Sequence, residues 1–198
     1  MDEARLDSKS VGDPAVFVRL QALELGLQTL PAAPQDAGTV VLVVRKGEGG
    51  RRETPEGVVL SPEEGVPGDA WGRRRAKRTE MQIAAVQADV ARLIAHGQPP
   101  ILFGDNLFLD LDLSQDRLHV GRAVLEVSPM PHNGCSKFES RFGRDALQFT
   151  FEPRWRHRNL RGIYLRVVEP GEVRPGDSAG VIERGRPQAA ALRSVLRP

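Results

Sequence analysis

The sequence predicts a mainly β fold, a barrel or a sandwich with a few small helices outside it, and three observations carry that expectation. First, the second half of the chain is a succession of short segments rich in Val, Ile, Leu and Phe. These are ILFGDNLFLDL, RLHVGRAVLEV, DALQFTFEP, GIYLRVVEP and DSAGVIER, each set off by Gly, Pro or Asp. Short strands punctuated by turn residues bury their apolar faces by curling into a barrel or packing as two sheets. Second, 198 residues suit one well-buried core with modest attachments, because domains commonly hold about 100–200 residues. Third, a composition of 40% hydrophobic and 27% charged residues is that of an ordinary globular chain.

The first half adds helices and a few strands. Val16, Leu20, Leu23, Leu27 and Leu30 recur at three- and four-residue spacings, so residues 14–30 read as an amphipathic helix closed by Gly26 or Pro31. TVVLVVRK (39–46) is a β-branched run suited to a buried strand, and GEGGRR after it reads as a hairpin turn. GVVLSPEEGVPGD opens with a short strand and ends in a Pro/Gly loop that delivers Asp69. Residues 79–96 carry Met81, Ile83, Val86, Val90, Leu93 and Ile94 in a mostly helical rhythm, with Thr79 as cap and Gly97 and Pro99 as stops. The closing RGRPQAAALRSVLRP is a small helix or a tail. The chain therefore divides into a helical extension (1–38), a barrel domain (39–184) and a C-terminal tail (185–198), together one compact unit.

No apolar run approaches the roughly 18 residues that span a bilayer, so no membrane association is expected. The N-terminus is acidic and lacks the basic start and apolar stretch of a secretory signal, which places the mature start near Met1. The single cysteine excludes an intrachain disulfide, and a free thiol suits a reducing compartment, the cytoplasm. Net charge is only +2, but basic residues gather in WGRRRAKR (71–78) and RWRHRNLR (154–161). Either cluster is solvated surface or the partner of a small anion. A nucleic-acid binder would carry a larger positive charge and more than 5% aromatics.

The stretch EVSPMPHNGCSKFESRFGRD turns through two prolines and offers Asn133 as N-cap of a short helix over residues 134–142, stopped by Gly143. Cys135 then lies in the first turn, where free N–H groups and the positive end of the dipole favour thiolate. Lys137, Arg141 and Arg144 add to this if they face the sulfur. The thiolate is the nucleophile and the metal ligand. The plainer alternative is a buried, inert cysteine.

Several elements in order resemble a MOSC domain, the β-rich module of molybdenum-cofactor sulfurases. They are Gly68-Asp69, then Gly104-Asp105-Asn106-Leu107, Leu118 with Gly121, Cys135 followed by Lys137, Arg161-Gly162 before a strand, and Gly171-Glu172-Val173-Arg174-Pro175-Gly176-Asp177. Two positions depart from the family pattern: Asp105 stands where Glu is usual, and Gly134 precedes the cysteine where Pro is common. The resemblance implies a β-barrel with small peripheral helices and a cysteine that carries sulfur as a persulfide or ligates the molybdenum of a pterin cofactor. Soft thiolate suits molybdenum. It also implies sulfur transfer, or a molybdenum-cofactor-dependent oxidoreductase activity, without establishing either. In the larger sulfurases a pyridoxal-phosphate domain makes the persulfide. This chain has no room for one, so a separate cysteine-desulfurase-type sulfur donor or a redox partner is expected.

Asn106, Lys137 and Arg161 are the supporting residues this reading names beside Cys135, and Arg154, Arg156, Arg158 and Arg161 with Trp155 could hold a pterin phosphate through bidentate bonds. The competing reading is a barrel that binds a small anionic ligand without chemistry at sulfur. His96, His119, His132 and His157 are scattered without zinc-site spacing. His132, three residues before Cys135, is a candidate base for the thiol or a solvent-exposed turn residue. Phosphate-binding glycine motifs of the G-x-x-x-x-G-K-[ST] and G-x-G-x-x-G types and a G-x-S-x-G elbow are missing.

Overall fold

In a computed structural model, residues 6–114 and 117–183 are described. A helix α1 (Leu20–Thr29) precedes strand β1 (Ala37–Val43) and the short hairpin of β2 (Arg45–Lys46) and β3 (Arg52–Glu53). Then come β4 (Val58–Leu60), β5 (Ile83–Gln87), α2 (Ala88–Ala95), β6 (Leu107–Asp110), β7 (Arg117–Val120) and β8 (Ala123–Val127). Helices α3 (Ser136–Phe142) and α4 (Arg144–Phe151) lead to β9 (Ile163–Glu169), β10 (Gly171–Val173) and β11 (Ser178–Glu183).

Seven strands close into a barrel in the order β1-β11-β7-β8-β9-β5-β6, with β6 returning to β1. All neighbours are antiparallel except β5 and β6, which helix α2 connects as a parallel pair requires. Closure leaves the seven-stranded barrel itself without an open edge. The wall separates two apolar clusters, and strand alternation sorts side chains between them. Ile83, Ala85, Leu107 and Leu109 point into the barrel, while Val86 and Phe108 point outward to Leu23, Leu27, Ile94, Phe103, Phe138, Phe142 and Phe149 under the helices. The barrel with small peripheral helices is thus the fold the sequence led us to expect.

Two segments differ from expectation. Residues 79–96 are not one helix: a 3-10 turn (Thr79–Met81) precedes β5, and only Ala88–Ala95 is helical. All five residues of β5 are buried because both faces of the wall are covered, so the run lacks the alternation that would have marked a strand. Conversely, DALQFTFEP is not a strand but lies mostly in α4. Leu147, Phe149 and Phe151 mimic a two-residue period, yet the helix buries Ala146 and Phe149 at a three-residue spacing and leaves Phe151 half exposed. The expected C-terminal tail, 185–198, lies outside the described residues.

Candidate functional site

The motif elements that carry Asp69, Asp105-Asn106, Cys135 and Arg161 meet at one end of the barrel. Asp69, brought in by the loop after β4, is buried, and its Oδ2 accepts from the Lys46 backbone N–H at 2.8 Å and Asn106 Nδ2 at 3.0 Å. Its Oδ1 accepts from the Trp71 N–H at 3.0 Å and lies 3.7 Å from Lys46 Nζ. Asn106 also donates to the Val44 carbonyl at 3.1 Å, and its Oδ1 accepts from the Ala84 N–H at 3.1 Å and Lys46 Nζ at 3.3 Å. Every polar atom of Asn106 is therefore engaged within the fold. It ties β1, β5 and the Asp69 loop together as a positioning residue.

Next to it, Asp105 is fully buried and pairs with Arg161 Nη1 at 2.7 Å. The Arg161 guanidinium lies over the rings of Phe138 and Phe103, 4.9 and 5.7 Å from their centroids, and its side chain is 10% exposed. His132 from the cysteine loop fits between Tyr164, whose ring centroid is 4.2 Å away, and Asp105 Oδ1, 3.4 Å from its Nδ1. The His132 side chain is 6% exposed, so it is an anchor of the loop rather than the exposed turn residue weighed from the sequence. Burial, then the charge of Arg161, holds its pKa down to about 3, and the imidazole is neutral at physiological pH. Burial also raises the Tyr164 phenol above its ordinary value, assisted by Asp105.

Two further arginines lie behind this group. Arg141 donates to the carbonyls of Ser10, Leu102 and Ser8 at 3.2, 3.1 and 3.0 Å. Arg52 donates to the Asp7 carbonyl at 3.3 Å and to that of Ile101. Both pin the N-terminal segment and the 3-10 turn Pro100–Phe103 to the barrel, and both are buried. Burial lowers both pKa values, that of Arg52 to about 10, and the like charges of Arg141 on Arg52 and of Arg161 on both act in the same direction. Lys46 is likewise lowered, first by burial, against the opposing pull of Asp69 and Asp105. Lys46, Arg52, Arg141 and Arg161 thus outnumber Asp69, Asp105 and Asp7, the carboxylates that act on them. Asp105 Oδ1, His132 Nδ1 and Arg161 Nε are buried without a hydrogen-bond partner. A surplus of positive charge, with Arg161 Nε left without an acceptor, fits an anionic, hydrogen-bonding ligand.

Cys135 is exposed at this end and is itself the N-cap of α3, with extended backbone angles. Asn133 is therefore not the cap. The Cys135 carbonyl accepts from the N–H groups of Phe138 and Glu139 at 2.9 and 3.0 Å, and Gly143 ends the helix as expected with φ 88°. A thiolate here is near enough to favour the charged form of Arg141 and to act on Tyr164. Gly134 backs onto α4: a β-carbon there would run into Leu147 Cδ1.

The remaining expected residues lie outside this cluster. Lys137 is exposed on α3, and Arg154 pairs with Glu24, with Glu152 at 3.8 Å, and lies over Trp155. Lys46, Arg52 and Tyr164 were not singled out from sequence. Lys46 and Arg52 come from the hairpin around GEGGRR, and their pairing with motif residues distant in sequence had no local signal. The turn 171–177 is at the opposite end, where β9 finishes. There the Asp177 carbonyl accepts from the Val40 N–H at 2.9 Å and Gly176 N–H donates back to the Val40 carbonyl at 2.7 Å, which fastens β1. A groove of about 480 Å³ lined by Gly121, Arg122, Glu172, Arg174, Asp177 and Ser178 opens at that far end, away from the chemistry.

A closed β-barrel with a cysteine loop and a cation-rich cluster at one end defines the class of protein. The MOSC domain family matches residues 72–179, over half of the 198-residue chain, and the chain belongs to that family, which is associated with molybdenum-cofactor binding. Among solved structures it is similar to the YuaD protein of Bacillus subtilis, at 15% identity and TM-score 0.52, covering 75% of this chain and 97% of that one. It is also similar to YiiM of Escherichia coli, at 18% identity and TM-score 0.51, covering 80% and 78%. At these identities the likeness is one of fold. No curated protein matches the sequence. Among the described residues no group of three or more His, Cys, Asp or Glu is arranged to hold a metal ion, and no helix is long and apolar enough to cross a membrane.

Proposed function

We propose that the cysteine end of the barrel binds a molybdenum-pterin or related anionic ligand, and that Cys135 is the sulfur atom presented there, as persulfide carrier or as ligand to the metal. The observation that carries this reading is the exposed Cys135 thiol beside a buried surplus of cations, with Arg141 within electrostatic reach of the sulfur. Arg161 and Lys46 are the side chains suited to hold the anionic group, and Asp105 fixes the guanidinium in place. When bound, that group supplies a metal whose preference for soft ligands suits a thiolate. Cys135 would be the protein's own contribution to the coordination.

In the carrier role the Cys135 thiolate attacks the outer sulfur of a donor persulfide. An S–S bond forms at Cys135, the donor S–S bond breaks, and its electron pair leaves with the donor thiolate, so nothing is oxidised overall. A donor of the cysteine-desulfurase type would supply the persulfide, and a reducing cytoplasm keeps the thiol available. Lys137 and Arg154 are peripheral: Lys137 is free to meet a ligand at the rim, whereas Arg154 is occupied by Glu24. The test is loading with glutathione persulfide, followed by labelling of sulfane sulfur. The wild-type protein takes up sulfur at Cys135, and folded Cys135→Ser protein takes up none. Equal labelling of the two proteins removes Cys135 from the chemistry, and the barrel is then a module that binds a small anion.

A further inference from the structure

The loop that leaves Asp69 carries Arg73, Arg74, Arg75, Lys77 and Arg78, all exposed, with Glu80 the only acid in residues 73–80. It is a built structure rather than a loose charge run. Trp71 is buried, and its Nε1 donates to the Arg78 carbonyl at 2.8 Å. Arg73 Nη2 donates to the carbonyls of Lys46 and Gly47 at 2.8 and 2.6 Å, and its Nη1 to that of Gly68. Lys77 Nζ donates to the Glu63 carbonyl at 3.2 Å and lies 5.5 Å over the Trp71 ring. Arg73 therefore anchors the loop to the hairpin that supplies Lys46.

Arg74, Arg75, Lys77 and Arg78 form no salt bridge among the described residues, whereas Arg45 of the hairpin, Arg166 of β9 and Arg174 of the far turn each lie against a glutamate. The loop belongs to the cysteine end: Arg73 holds it to Lys46, Lys46 Nζ reaches Asp69 and Asn106, and Asp105, next to Asn106, faces His132 of the cysteine loop. The fully buried Asp105 and nearly buried His132, each with an unpartnered polar atom, lie in the same cluster. The outer cations are thus continuous with a polar centre already short of negative charge.

We propose that residues 74–78 form an electropositive collar that recruits small anionic co-reactants to Cys135, so that the site selects anionic sulfur compounds over neutral ones. This rests on Cys135 being the reactive sulfur and adds the substrate class. Fixed, unpaired cations beside a low-dielectric surface raise the local concentration of anions, and such steering speeds association by about 10 to 10³. It also fades with salt as the Debye length shrinks.

The test compares the rate of Cys135 with dianionic dithiobis(nitrobenzoate) and with neutral dithiodipyridine. Raising salt from roughly 10 mM to 1 M shortens the Debye length from about 30 to about 3 Å, and the anionic-to-neutral rate ratio should fall by about fivefold or more. Combining Arg74→Gln, Arg75→Gln and Arg78→Gln should produce a fall of similar size at low salt. Arg122→Gln, at the far end of the barrel, should leave the ratio where it was. A ratio indifferent to salt, or one that Arg122→Gln lowers as much as the triple substitution does, overturns the collar. Persulfide loading reports separately on the sulfur chemistry. Normal loading without charge preference defeats the collar alone, and a thiol that neither reagent reaches defeats both ideas.

Discussion

Asp105→Asn is the substitution that asks most of this site. The exchange is nearly isosteric, but it removes the carboxylate that lies 2.7 Å from Arg161 Nη1 and that offsets Lys46 and Arg52 as well. Asp105 is fully buried and the Arg161 side chain is 10% exposed. Breaking one partner of such a pair typically costs about 3–5 kcal/mol, because a charge is left uncompensated. For a chain of this size each kcal/mol shifts Tm by about 2–4 °C, so a fall of roughly 6–20 °C is expected. Urea unfolding of wild type, Asp105→Asn, Arg161→Met and the double variant measures it as a cycle. Arg161→Met also relieves repulsion on Arg52 and Arg141, so the double variant should be markedly more stable than the two single losses predict. A loss below about 1 kcal/mol in Asp105→Asn, or strict additivity, would refute the argument that one carboxylate balances this cluster.

Other consequences follow from the same geometry. His132 has its pKa depressed from 6.5 to about 3 in the folded protein. The unfolded chain therefore binds a proton that the folded one refuses, and stability falls as pH drops through that window by up to about 1.4 kcal/mol per unit. His132→Gln should flatten this dependence between pH 6.5 and 4, and parallel stability curves for the two proteins would show that His132 is not buried neutral. Gly162 adopts φ 98°, and a β-carbon there would be driven onto the Ala85 carbonyl oxygen of β5. Gly162→Ala should cost more than the roughly 1–2 kcal/mol of a left-handed residue alone, and an unchanged Tm would contradict the packing of β9 on β5. Asn106→Leu should destabilise by several kcal/mol through orphaned buried partners, read by urea unfolding; a loss under about 1 kcal/mol would deny it the positioning role.

Much of the fold was legible because barrel strands announce themselves by short apolar runs between turn residues, as in β7, β8, β9 and β11. What misled was period. Strand β5 is covered on both faces and so has no alternation, and α4 carries a coincidental Leu147, Phe149, Phe151 spacing. The site was legible as an ordered set of motif residues, and the fold brings Asp69, Asp105, Asn106, Arg161 and Cys135 to one end. Their division of labour was not legible. Asn106 looked like a ligand-binding residue, yet all its polar atoms are used between strands, and Arg154 looked free until Glu24 of α1 was seen beside it. Such long-range partners leave no trace in local sequence. The contact of Gly134 with Leu147 was equally hidden, since Leu147 lies on a helix whose sequence reads as a strand.

The central claim is that Cys135 is the working sulfur atom of a molybdenum-cofactor-associated barrel. The most direct measurement is intact mass spectrometry together with metal analysis of the protein and its Cys135→Ser variant, each isolated from the native host. The account predicts that the wild-type protein carries molybdenum, or one reducible extra sulfur on Cys135, and that the folded variant carries neither. Identical masses and metal contents in the two proteins would contradict it.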